Sequence, residues 1–206
     1  TATEFIAKRF EFLNNPVVAI KNYPILSYDV PMCKRVPNNE RKVCYVSSNL
    51  SLQRAILPII ESMKYVDADL ILAGSMDQSV SEIVQKLDGW EKCTFVGFVD
   101  KEKVRSIMAD SNIGLAIFSL EPNYVNALPT KMFEYMRESL PVVVTNIPIL
   151  RKIIDKYDCG IYVNSLDPID IATSINCLLD DPKRAVEMGK NGRRAIEDEY
   201  NWNIEA

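Results

Sequence analysis

From residue 43 onward the sequence alternates short β-branched runs with longer amphipathic segments, and each changeover carries a turn or cap residue. The runs at 43–47, 69–73, 93–96, 113–118, 142–145 and 160–163 read as strands, and the segments at 52–64, 78–87, 101–109, 129–137, 148–156 and 168–179 read as helices. Runs such as LILA and IGLAIF are apolar on both faces, as in a parallel sheet covered by helices on each side. The alternation therefore predicts an α/β fold, a doubly wound parallel sheet of about six strands.

Both ends of the chain read differently. Residues 183–200 predict a charged helix whose thin apolar face, Ala185, Met188, Ala195 and Ile196, is free to dock elsewhere. Residues 1–36 open with an amphipathic piece (Phe5, Ile6, Phe10, Phe12, Leu13) and a strand-like stretch at 17–20. They then run through Pro24 and Pro31 towards Pro37 in the manner of an interdomain linker. The expected division is a domain tail and linker at 1–36, the α/β domain at 37–182, and a C-terminal helix at 183–206 that packs towards the domain the tail belongs to.

Composition removes several function classes. A net charge of -4 with no block of Lys or Arg argues against a nucleic-acid surface. Five dispersed cysteines (Cys33, Cys44, Cys93, Cys159, Cys177) without a CxxC pair indicate neither a disulfide framework nor a zinc site, and read as the reduced cysteines of a cytoplasmic protein. No signal peptide or spanning apolar run is visible. The chain has no histidine, so any acid or base is a carboxylate, lysine, tyrosine or cysteine.

The chemistry concentrates in NALPTKMFEYMRESLPVVV, residues 126–144. Pro129 fits only the first turn of a helix, and Pro141 closes that helix before the β-branched run. Lys131 then lies near a helix N-terminus, where the macrodipole disfavours a cation unless an anion joins it. Glu134, three residues on, shares roughly that face and has the geometry to accept two vicinal hydroxyls. The plain alternative is that both side chains face water.

With YVSSNLSLQRA after the first strand, the Gly74 turn, TFVGFVD and the late CGIYV, this order resembles the C-terminal, donor-binding half of a GT-B glycosyltransferase, close to retaining family 4, over residues 17–206. The resemblance implies a Rossmann-like domain whose partner is a second such domain carrying the acceptor site. PTKMFEYM matches a Pro-x-Lys version of the family's donor motif, and Asn126 stands where other members carry a first Glu. It implies that Glu134 holds the ribose, Asn126 the sugar, and Leu128 and Thr130 the diphosphate through backbone N–H groups. Val96, Gly97 and Phe98 correspond to the base-contacting turn, and Ser47, Ser48 and Gly74 to the glycine-bearing loops. Arg54, here followed by Ala55 rather than Gly, and Lys131 are the expected leaving-group clamp. Glu121 reads as a capping or solvent-facing carboxylate.

The reaction this implies is transfer of a hexosyl group from a nucleoside-diphosphate sugar to an acceptor hydroxyl, with retention. No DxD-like site is visible, so no metal and no cofactor are expected; Arg54, Lys131 and the helix dipole stabilise the departing diphosphate. The implied partners are the donor, the chain's own N-terminal acceptor domain and a carbohydrate or lipid-linked acceptor, in polysaccharide or glycolipid synthesis, with peripheral membrane association of the full-length protein compatible. This portion alone is expected to bind nucleotide weakly and to transfer nothing. A sugar-nucleotide 2-epimerase of the same fold, a receiver-type signalling domain and a non-catalytic nucleotide-binding scaffold are the rivals. Lack of histidine weakens the first, and Ser47 and Ser48 in place of acidic residues weaken the second.

Overall fold

A computed structural model describes residues 3–13, 15–26, 41–122 and 124–205. Its strands are β1 (Lys42–Asn49), β2 (Asp69–Ser75), β3 (Cys93–Gly97), β4 (Ile113–Ala116), β5 (Val142–Thr145) and β6 (Gly160–Val163). They form one six-stranded sheet in the order β3-β2-β1-β4-β5-β6, with every neighbouring pair parallel. The order reverses between β1 and β4, and the crevice beyond their carboxyl ends is where such sheets bind ligands.

Side chains alternate across the sheet and feed two cores. Val43, Tyr45, Leu70, Leu72, Ile113, Leu115 and Val143 point to the layer of α2 (Ile56–Ser62) and α7 (Pro168–Leu179). Cys44, Val46, Ala116, Val142 and Val144 point to the layer of α4 (Lys101–Asp110), α5 (Thr130–Arg137) and α6 (Pro148–Tyr157). Burial on both faces is why these strands read as continuous apolar runs. Helix starts follow the expected chemistry: Asp100 accepts from the Lys103 N–H at 2.8 Å, Asp167 caps α7, and proline opens α6 and α7. The remaining helices are α1 (Glu4–Lys8), α3 (Gln78–Val84), α8 (Pro182–Asp198) and α9 (Trp202–Glu205).

Several sequence expectations are corrected. The strand predicted at 113–118 leaves the ladder after Ala116, because the Thr145 hydroxyl binds both Phe118 N–H (2.8 Å) and Phe118 C=O (2.9 Å). The single helix predicted at 52–64 is broken: Leu52–Arg54 forms a 3₁₀ turn, and Ala55 adopts φ 53°, ψ 31° before α2 begins. Residues 17–20 form no strand, and Val18 and Ile20 are exposed. The apolar face of α8 is not left for another partner. Ala185 and Met188 join one core and Ala195 and Ile196 the other, so α8 links the two layers. Gly189 permits this approach, since a Cβ there would lie 2.1 Å from the Ser139 carbonyl oxygen.

The N-terminal segment folds back onto the domain. Tyr23 is buried edge-on against Phe133 and Tyr200, at centroid distances of 5.0 and 5.5 Å. Pro24 C=O accepts from the Trp202 N–H at 3.0 Å, and the Lys21 N–H and ammonium both donate to Glu205. Pro31, Pro37 and Cys33 of the expected linker lie outside the described residues; Cys44, Cys93, Cys159 and Cys177 are all free thiols. Among the described residues no helix is long and apolar enough to cross a membrane.

Candidate functional site

A cleft of about 570 Å³ opens at the switch point between β1 and β4. Its floor is the end of β1, Val46 to Ser48, beside Ala73 and Gly74 of β2. Gly74 has φ 143°, and a Cβ on it would lie 2.1 Å from the Ser47 carbonyl oxygen, so the two strand ends come this close only through glycine. Val46 is fixed by its N–H, which donates to the buried Tyr135 hydroxyl at 2.9 Å.

One wall is the start of α5. Pro129 is its N-cap and offers no side-chain hydrogen bond, so the first N–H groups of the helix lack the usual cap where Thr130, Lys131 and Glu134 line the cleft. Lys131 is 8% exposed, and its ammonium stacks 3.9 Å from the centroid of the Tyr45 ring. That ring is immobilised by its hydroxyl, which donates to the carbonyl oxygens of Arg54 (2.8 Å) and Ile117 (3.1 Å). Lys131 Nζ and Ser47 Oγ are buried with no hydrogen-bond partner among the described residues, and both belong to the cleft wall. Buried polar atoms are almost always paired, so the cleft wall carries two unmet hydrogen-bonding groups.

Electrostatics agree with an anion. Arg54, Lys101, Arg105, Lys131 and Arg137 all line the cleft, in a chain whose net charge is -4. Burial, reinforced by the Arg54 guanidinium and partly offset by Glu134, holds the Lys131 ammonium well below the ordinary lysine range. Burial raises the Glu134 carboxyl, while Arg137, Lys101 and Lys131 pull it back. Among the described residues no cluster of three or more acidic or cysteine side chains could hold a metal ion.

Eight of the sequence-selected residues meet in this cleft: Ser47, Ser48, Arg54, Gly74, Phe98, Thr130, Lys131 and Glu134. The reading of Lys131 as an ordinary solvated lysine is overturned by its burial. Four selected residues fall outside. Val96 and Leu128 pack against the core between the sheet and α5, and Gly97 ends β3 with φ 73°. Asn126 sits in a turn closed by Tyr124 N–H to Glu121 C=O (2.8 Å) and Ala127 N–H to Tyr124 C=O (2.9 Å), which keeps it off the cleft wall. Arg54 is present, but from the 3₁₀ turn rather than a helix; Ala55 takes up the left-handed geometry without glycine.

Two groups were missed. Lys101, Val104, Arg105 and Met108 line the cleft from α4, at spacings of three and four that mark one helix face. Asn22 to Ile25 close the rim, with Asn22 Nδ2 donating to Thr130 Oγ1 at 3.1 Å; no local pattern announces that return of the N-terminal segment.

The model of the family glycosyl transferases group 1 matches residues 32–195. A relative described as an uncharacterised glycosyltransferase of Methanocaldococcus jannaschii is 25% identical over 174 residues, covering 82% of this chain and 43% of its own length. Sucrose-phosphate synthase from Thermosynechococcus elongatus has a similar structure, with a TM-score of 0.67 at 22% identity, over 82% of this chain and 44% of that one. Anabaena HepE, solved with UDP and glucose, superposes with a TM-score of 0.70 at 15% identity, over all of this chain and 50% of that one. The chain thus spans about half the length, or less, of these proteins, and its sheet is a GT-B Rossmann-like domain. Because the family match runs through all six strands and through both helices that flank the cleft, the chain belongs to the glycosyl transferases group 1 family.

Proposed function

We propose that this chain is the donor-binding half of a glycosyltransferase and that its cleft takes the nucleoside diphosphate of a nucleotide-sugar donor. The observation that carries the reading is Lys131, a buried ammonium without a hydrogen-bond acceptor beside an uncapped helix N-terminus. A diphosphate at this point supplies the acceptor, meets the first N–H groups of α5, and lies within the field of Arg54. Glu134, one turn further along the helix, is left for the ribose diol. UDP bound to HepE, a protein of similar fold, supports this choice of ligand.

The reaction is transfer of a hexosyl group to a carbohydrate or lipid-linked acceptor hydroxyl, with retention, the acceptor site being on a second domain. Departure of the diphosphate builds negative charge on its oxygens. Arg54, Lys131 and the α5 dipole meet that charge, and the transfer proceeds without a divalent ion. Calorimetric titration of the folded chain with UDP, GDP and ADP tests the site: saturable binding of at least one is expected, and no heat with any of them overturns the assignment.

A further inference from the structure

The cleft continues beyond Glu134 into a chamber of different chemistry. Along α5, Lys131, Glu134 and Arg137 follow one another at about 4.5 Å intervals. A nucleotide with its diphosphate at Lys131 and its ribose at Glu134 therefore places its base between Arg137 and α4. The walls there are apolar, made by Phe98, Val99, Val104 and Met108. The polar side chains are Lys101, Arg105 and Arg137, which are donors only.

Arg105 is held in place across the two helices. Its Nε–H donates to Glu138 Oε1 at 3.1 Å, and Arg137 reaches the same oxygen through Nε and Nη2, also at 3.1 Å. Glu138 is 5% exposed and is not part of the cleft wall, and its Oε1 holds both guanidiniums from behind. Once Glu134 is given to the ribose, the polar side chains left for the base are hydrogen-bond donors.

We propose that Arg105, held by Glu138, is the base-reading residue of this cleft and selects a nucleobase with a keto acceptor on its exposed edge, uracil or guanine, over cytosine or adenine. Uracil O4 accepts from a guanidinium and guanine O6 and N7 accept from it bidentately, whereas cytosine and adenine turn an amino donor towards it and adenine keeps only N7 as an acceptor on that edge. A donor facing a donor forms no hydrogen bond, so a base that turns its amino group to Arg105 forgoes that contact. The proposal rests on the donor-site reading above and adds to it the class of base.

Calorimetric titration of the full chain with UDP, GDP, CDP and ADP, repeated on Arg105→Met, is the test. The wild type is expected to bind UDP and GDP at least roughly tenfold more tightly than CDP and ADP, the scale of one good base contact. Arg105→Met, which keeps an aliphatic stem, is expected to narrow that gap to roughly threefold or less, with the loss falling on UDP and GDP. Equal binding of all four by the wild type overturns the proposal and leaves the donor site standing. An Arg105→Met protein that keeps the gap, or that binds all four more weakly by the same factor, overturns it in the same way. Failure of all four to bind the folded wild type removes the donor site and this inference with it.

Discussion

The ammonium of Lys131 stacks 3.9 Å from the centroid of the Tyr45 ring, and the Tyr45 hydroxyl binds the carbonyl oxygen of Arg54. The pair joins β1, α5 and the turn that carries Arg54, so the two cations proposed to meet a diphosphate are positioned by one tyrosine. Burial and the neighbouring Arg54 lower the Lys131 pKa well below the ordinary 10.5. Between that lowered value and 10.5, the unfolded chain holds a proton that the folded chain has released. Stability of the free protein should therefore rise with pH through this window, since the unfolded state binds more protons. Thermal melts across the window should show the rise in the wild type, and Lys131→Met should flatten it. An unchanged slope in Lys131→Met would show that other groups govern it.

Glu134 carries a carboxyl raised by burial, and only its ionised form accepts two hydroxyls. Affinity for UDP should fall as the pH drops through that raised value. Glu134→Ala should weaken UDP by roughly tenfold or more while leaving 2′,3′-dideoxy-UDP nearly unaffected, the loss of the charge-assisted hydrogen bonds to the two hydroxyls. Equal losses for the two nucleotides would remove the ribose from Glu134.

Gly114 in β4 lies beneath the Tyr135 ring, where an added Cβ would sit 2.4 Å from Cγ. Tyr135 in turn accepts the Val46 N–H at the cleft floor. Gly114→Ala should cost about 1–3 kcal/mol by overpacking, read by urea denaturation, and should weaken nucleotide binding through displacement of β1. A variant with wild-type stability would show that the ring has room to move.

The sheet was legible because strands buried on both faces keep an unbroken apolar signature, as Val142 to Thr145 do. Lys131 and Glu134 were legible because Pro129 fixes where their helix starts. Lys101 and Arg105 were not, since a charged stripe on an amphipathic helix looks the same in sequence whether it faces solvent or a cleft. The break at Ala55 gave no warning because alanine carries none of the glycine signal for a left-handed residue. The place of Asn22 to Ile25 depends on Tyr23 meeting Tyr200, a contact between opposite ends of the chain that no local pattern encodes.

Asp158 closes α6 at φ 47° and is exposed, with its negative charge at the unfavourable end of the helix dipole. Asp158→Gly should stabilise the protein by about 0.5–1 kcal/mol, the relief of a left-handed non-glycine residue less the added freedom of the unfolded chain. Nucleotide affinity should not change. A lower melting temperature would indicate that the Asp158 side chain makes a contribution larger than its backbone strain.

Whether the Lys131 end of α5 holds a diphosphate is decided by comparing UDP with uridine in calorimetric titrations of the wild type and Lys131→Met. UDP should bind the wild type at least roughly a hundredfold more tightly than uridine, as two or more charge-assisted hydrogen bonds would give. Lys131→Met should remove most of that advantage while uridine binding is retained. A Lys131→Met protein that is folded and still prefers UDP by the wild-type margin would contradict a diphosphate at Lys131.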